Sequence, residues 1–142
     1  MIDTNCLISG LLRDSASRRI ILHERFRFFA PERLLVEIIK YHGQILTRSG
    51  LDQHLYSSVL LGLLERIDLV PYERYMTHFA RAFDVMVTID EFDTSFLALG
   101  LALHLDGIWT DDKHFLEQRL LRVYGTEELL GIIEMGTSEE AP

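Results

Sequence analysis

The run Phe96-Leu97-Ala98-Leu99-Gly100-Leu101-Ala102-Leu103 constrains the fold more than any other stretch. It has no polar stripe, so a helix formed here must be buried on nearly every side, which only a layered core provides. Asp93 stands at its start. After a turn at Asp106-Gly107, the apolar segment Ile108-Trp109-Thr110 reads as a short strand that stops on Asp111 and Asp112. The stretch 93–115 is thus one βα unit feeding the next, with carboxylates at both junctions. In parallel α/β sheets ligands sit beyond the carboxyl ends of strands, where helices present their N-termini. Carboxylates gathered there usually need a cation.

A chain of 142 residues that is 48% hydrophobic has material for one well-filled domain. Its net charge of −8 argues against a broad electrostatic grip on DNA, which rests on many Lys and Arg contacts. A nucleic-acid substrate stays open, because divalent ions held by carboxylates supply positive charge locally. The single cysteine, Cys6, forms no internal disulfide, which fits a reducing, cytoplasmic setting. No apolar run is long enough to span a bilayer, and the first residues show no basic region followed by an apolar segment. A soluble cytoplasmic protein is expected.

Along the chain, Met1-Ile2 reads as the end of a strand, followed by a helix with Leu7, Ile8, Leu11 and Leu12 at helical spacing. Only Met1 and Ile2 precede Asp3, which gives that residue little strand to hold it. Ser15 and Ser17 are N-cap candidates for a helix through Ile20, Ile21, Leu22 and Phe26. Phe28-Phe29-Ala30 reads as strand, and Pro31 suits the first turn of a third helix with Leu34, Leu35, Ile38 and Ile39 on one face. Gly43 is placed near that helix's end, and 47–50 as a loop. A long helix is expected over 51–66, a strand over 67–70, an amphipathic helix through Tyr75 to Phe83, and a connector over 85–92. A helix over 113–121, a strand at 122–124 and a final helix over 127–135, capped by Thr126, complete the pattern. Residues 1–135 form one domain on this reading, and 136–142 a disordered tail. Alternating strands and helices argue for a parallel sheet covered on both faces.

Taken singly, Asp3, Asp93 and Asp112 are each explained as helix N-caps, and Glu37 as a solvated flank residue. Their combination with a topology that carries helix starts to one sheet edge shifts the balance. Carboxylates meeting there would raise one another's pKa or bind a cation. All-oxygen ligands suit Mg²⁺ or Mn²⁺, and the chemistry implied is phosphodiester hydrolysis by water whose pKa the metal lowers.

The residues also carry a family likeness. Asp3-Thr4-Asn5-Cys6-Leu7-Ile8 resembles the opening signature of PIN-domain nucleases, and Leu34-Leu35-Val36-Glu37-Ile38 resembles the segment bearing their second acidic residue. Asp93-Thr94-Ser95-Phe96-Leu97-Ala98-Leu99 and Trp109-Thr110-Asp111-Asp112-Lys113-His114-Phe115 look like the third and fourth blocks, in family order across nearly the whole chain. The resemblance implies a three-layer α/β/α sandwich with a central, mainly parallel sheet, and a metal-dependent ribonuclease site. It implies Asp3, Glu37, Asp93 and Asp112 as the catalytic, metal-holding quartet, with Asn5 and Thr110 orienting carboxylates or water. Asp112 fits the family spacing better than Asp111, which is left as an auxiliary ligand or a turn residue. His114 stands where many members carry another acid, and Ser95 where proline is common.

By the same resemblance, many small stand-alone members are VapC-type toxins, often homodimeric and held inactive by an antitoxin, with RNA as substrate. A PIN-like module that binds without cleaving is the alternative, and a phosphatase is disfavoured because Asp3-Thr4-Asn5 lacks a second aspartate. There is no HExxH zinc pair and no glycine-rich nucleotide loop, and Cys6 reads as a small buried hydrophobe rather than a nucleophile. Arg13, Arg18, Arg19, Lys40, Arg48 and Lys113 are candidates to line an RNA path, although surface cations are ordinarily just solvated.

Overall fold

The computed structural model describes residues 1–12 and 16–140. Its elements run α1 (Thr4–Leu11), α2 (Ala16–Leu22), β1 (Phe28–Pro31), α3 (Arg33–Lys40), α4 (His42–Ser49) and α5 (Gln53–Leu64). They continue with β2 (Ile67–Val70), α6 (Phe79–Met86), α7 (Thr94–Ala102), β3 (Ile108–Trp109), β4 (Val123–Tyr124) and α8 (Thr126–Glu140). Short 3-10 turns at Glu91–Asp93 and Lys113–Glu117 introduce α7 and follow β3.

Two parallel strand pairs make up the sheet. β1 lies beside β2 with Phe28 opposite Ile67 and Pro31 opposite Val70, and β3 lies beside β4 with Ile108 opposite Val123. Residues 1–3 join the pairs. Ile2 bridges Trp109 in parallel, Asp3 N–H donates to Trp109 O at 3.1 Å, and Trp109 N–H donates to Met1 O at 2.7 Å. On the other side Ile2 N–H donates to Phe29 O at 2.9 Å. The spatial order is therefore β2, β1, residues 1–3, β3, β4. Brief as this segment is, it occupies the centre of the sheet and is held from both flanks, so Asp3 is fixed where little strand was expected to fix it.

Side chains alternate across the sheet as the strand period of two requires. Ile2, Phe28, Ala30 and Trp109 face a core built with Leu7 and Leu11 of α1, Ile20 of α2, Leu63 of α5 and Ile133 of α8. Met1, Val70 and Ile108 face the opposite core, with Met86 of α6 and Phe96, Leu97 and Leu99 of α7. The result is the three-layer α/β/α sandwich. α7 is buried continuously from Thr94 to Gly100, as its stripe-free sequence demands. Gly107, just before β3, lies where an added Cβ would come within 2.5 Å of the Arg122 carbonyl oxygen and 2.6 Å of the Tyr124 ring.

Several local expectations change. The segment around 47–50 is the end of a helix, α4, which stops at Gly50 in the left-handed region with φ 69°. Pro31 closes β1 instead of opening α3. Ile39 is 73% exposed, so α3 buries the line Leu34 and Ile38, half-buries Leu35 and leaves Ile39 outside. The helix expected over 113–121 shrinks to the 3-10 turn because Gln118 intervenes. Its buried amide donates to Phe115 O and Leu121 O and accepts from the Leu120 and Leu121 N–H groups, tying the backbone into a loop. α8 continues past Met135 to Glu140, through residues assigned to the tail, because propagating a helix costs less than starting one. Ser15 and Arg13 lie outside the described residues. No described helix is long and apolar enough to cross a membrane.

Candidate active site

Topology gathers the acids. Asp3 follows the central segment, Asp112 follows β3, and Glu37 sits on α3, which follows β1, so all three belong to the carboxyl edge of the sheet. α7 leads back into β3, and a crossover helix runs opposite to its strands, which brings its first residue and Asp93 to the same edge. Two clefts of about 650 and 800 Å³ lie elsewhere, around Arg27, Phe29, Leu105 and their neighbours, and neither is lined by these four acids.

Asp3 is 5% exposed, and Thr110, 2% exposed, donates its hydroxyl to Asp3 Oδ2 at 2.7 Å. The same oxygen of Thr110 accepts the Asp112 N–H at 3.0 Å, so one side chain ties the acid of the central segment to the acid after β3. Asp112 Oδ1 accepts from the His114 N–H at 2.9 Å and caps the short turn behind it. Asp3 and Asp93 stand at the N-cap positions of α1 and α7, yet neither makes a side-chain cap bond. Capping therefore explains Asp112 but not the other two.

The carboxylates sense one another. Burial, foremost, pushes the Asp93 carboxyl up to about 7, and the charges of Asp90, Asp3, Asp112 and Glu37 add to it. Burial likewise raises Asp3, against the Thr110 hydrogen bond, with Asp112 and then Glu37 contributing repulsion. This has a stability consequence with a definite sign. A carboxylate raised above its ordinary 3.8 favours the folded state when protonated, and that advantage is lost as pH rises toward about 7. Asp93→Asn should thus be more stable than the wild-type chain above pH 7, with the gap closing by about pH 4. Discounted for the water a partly exposed carboxylate still reaches, the gain is about 1–2 kcal/mol, or roughly 2–6 °C in Tm. Thermal melts of both proteins across pH in EDTA measure it, and equal melting points at pH 8 would refute it.

Three residues not singled out in sequence join the picture. Asp90 accepts from the Phe92 N–H at 3.1 Å and is the largest charge influence on Asp93. Arg33, on α3, directs Nε to Glu37 Oε1 at 3.4 Å, and its guanidinium lies 5.6 Å from the Phe92 ring centroid. The motif Asp90-Glu91-Phe92-Asp93 and the i, i+4 pairing of Arg33 with Glu37 were the available signals.

The remaining candidates scatter. Asp111 turns to α8, accepting the Thr126 N–H at 2.9 Å and the Thr126 hydroxyl, which in turn accepts the Trp109 indole N–H at 3.1 Å. Its carboxylate thus fastens the start of α8. The Asn5 side chain is exposed, and its backbone N–H favours the charged form of Asp3. Arg18 donates to Gly10 O and Leu12 O at the end of α1, which gives it a structural role, while Arg19, Lys40, Arg48 and Lys113 are exposed. His114 places Nδ1 3.4 Å from Asp112 Oδ1. Cys6 is buried with Sγ 3.6 Å from Trp109 O, and burial pushes its thiol up, away from nucleophilic reactivity.

The donor set is all-oxygen and anionic, as a hard divalent cation requires, and the Thr4 hydroxyl beside Asp3 in sequence is buried without a partner among the described residues. No three His, Cys, Asp or Glu groups of the described residues stand close enough to cage an ion. Mg²⁺ does not demand such a cage, since it binds through one or two carboxylates and keeps several waters. The residues present fit such an ion in chemistry and in this open arrangement.

A parallel sheet sandwiched by helices, with mutually coupled carboxylates beyond the ends of its central strands, defines an α/β domain built around an acidic site. The family model described as PIN domain matches residues 1–129, and the chain belongs to that family, whose members are generally nucleases. No curated protein gives a significant match.

Proposed function

We propose that the chain is a Mg²⁺- or Mn²⁺-dependent endoribonuclease whose acidic site, Asp3, Glu37, Asp93 and Asp112, takes its cation through one or two of these carboxylates and water. The observation that carries this reading is the pair of helix-start aspartates, Asp3 and Asp93, that make no cap bond and are raised together by burial and by their acidic neighbours. When bound, a divalent ion supplies positive charge for the phosphodiester and lowers the pKa of water for attack. The protein's own part is orientation. Thr110 fixes one oxygen of Asp3 and the backbone of Asp112, and Arg33 holds Glu37.

The resemblance to VapC-type proteins supports a cytoplasmic toxin, homodimeric and restrained by an antitoxin, and a neighbouring small gene for a DNA-binding partner would fit that role. Incubating purified protein with single-stranded and structured RNA tests the chemistry, with Mn²⁺ or Mg²⁺ against EDTA. Cleavage in metal that EDTA abolishes is the expected result. RNA and metal binding without cleavage would instead select a binding module.

A further inference from the structure

We infer that Phe92 is a stacking platform for an unpaired base beside the acidic site, held in place by Arg33; this rests on the ribonuclease reading. Isolated exposed hydrophobic residues are ordinary and need no function. Phe92 departs from that pattern in three ways. It is 63% exposed although it immediately precedes Asp93, so its ring sits at the rim of the site. Its backbone is pinned, since Phe92 N–H donates to Asp90 Oδ1 at 3.1 Å. Its ring is also held from one side by the Arg33 guanidinium, itself anchored on Glu37.

The chain Glu37, Arg33, Phe92, Asp93 thus spans from one acid of the proposed quartet to another. An aromatic ring fixed at backbone and at one face loses little freedom when a flat partner lands on it, which is what makes a platform efficient. Nucleobases are such partners, and any base has a π-face to offer. In a duplex those faces are already covered by neighbouring pairs. The platform therefore selects single-stranded segments, placing one base on Phe92 while the adjoining phosphate reaches the carboxylates. With its formal charge of −8, the protein has little long-range attraction for RNA, so local stacking carries more of the binding.

The test compares wild type, Phe92→Ala and Phe92→Trp, using the full chain with Ca²⁺ in place of Mg²⁺ and short single-stranded, duplex and abasic oligonucleotides. Alanine should weaken single-stranded binding by about tenfold and leave duplex binding unchanged. In Mg²⁺ its loss should fall on KM more than on kcat. Tryptophan should restore affinity, and its fluorescence should be quenched by the base-bearing strand but not by the abasic one. Trp109, the chain's own tryptophan, is 2% exposed, so wild type serves as the blank. Equal affinity and equal KM for wild type and Phe92→Ala, with RNA still cleaved, would overturn the platform and leave the nuclease standing. A wild-type protein that neither binds nor cleaves any RNA would remove both.

Discussion

Asp93→Asn and Asp112→Asn should each lose metal-dependent RNA cleavage by at least about 100-fold while remaining folded. Groups that merely orient a metal's ligands are worth 10–100-fold, so a direct ligand should exceed that range. The two variants differ in what else they disturb, which makes the comparison informative. Asp93 makes no cap bond, so its replacement removes charge and nothing structural. Asp112 caps the turn after β3 through the His114 N–H, and the amide oxygen of asparagine can keep that bond. A shared loss of activity therefore reports a shared loss of charge at one site. Circular dichroism and a single-turnover cleavage assay read fold and chemistry separately. Variants that stayed folded and cleaved like wild type would end the catalytic assignment.

Gly107→Ala should destabilise the fold, by about 2–3 kcal/mol or roughly 5–10 °C in Tm. The obstacle is space. The new methyl group would meet the Arg122 carbonyl oxygen at 2.5 Å and the Tyr124 ring at 2.6 and 2.9 Å. Backbone cannot swing aside as a side-chain tip can, so β3 would have to move away from β4. Gly62→Ala is the natural control, because nothing lies within 4 Å of its added carbon on α5. There the same chemical change should stabilise by about 0.5–1 kcal/mol, through helix propensity and a less free unfolded chain. Denaturant melts of the pair decide the matter, and a Gly107→Ala midpoint at or above wild type would show that the strands can part at no cost. Since Thr110 and Asp112 directly follow β3, the strain should reach the acidic site as well.

Sequence patterning carried the layered architecture because strands and α7 obey burial rules that do not depend on distant partners. Where reading failed, a particular polar contact had overruled a period. Gln118, with four hydrogen bonds to nearby backbone, replaced the expected helix by a loop. α4 was missed because His42–Ser49 is polar, with Ile45 and Ser49 its buried residues. At the site, family likeness pointed to the four acids, and for Asp3 and Asp93 so did their place at helix starts. What spacing could not show was the bond to Asp111 from Thr126, which arrives from the start of α8. Nor could it place Arg33 between Glu37 and Phe92, a contact made across two elements far apart in the chain.

The bond from Thr110 to Asp3 joins residues 107 positions apart, and the central segment itself is paired on one side by β3. Contacts of such long sequence separation form late in folding. On the ribosome, a nascent chain that has not yet emerged through Asp112 has Asp3 but neither its hydroxyl partner nor its acidic neighbour. The acidic site is therefore assembled only when nearly all of the domain has left the exit tunnel.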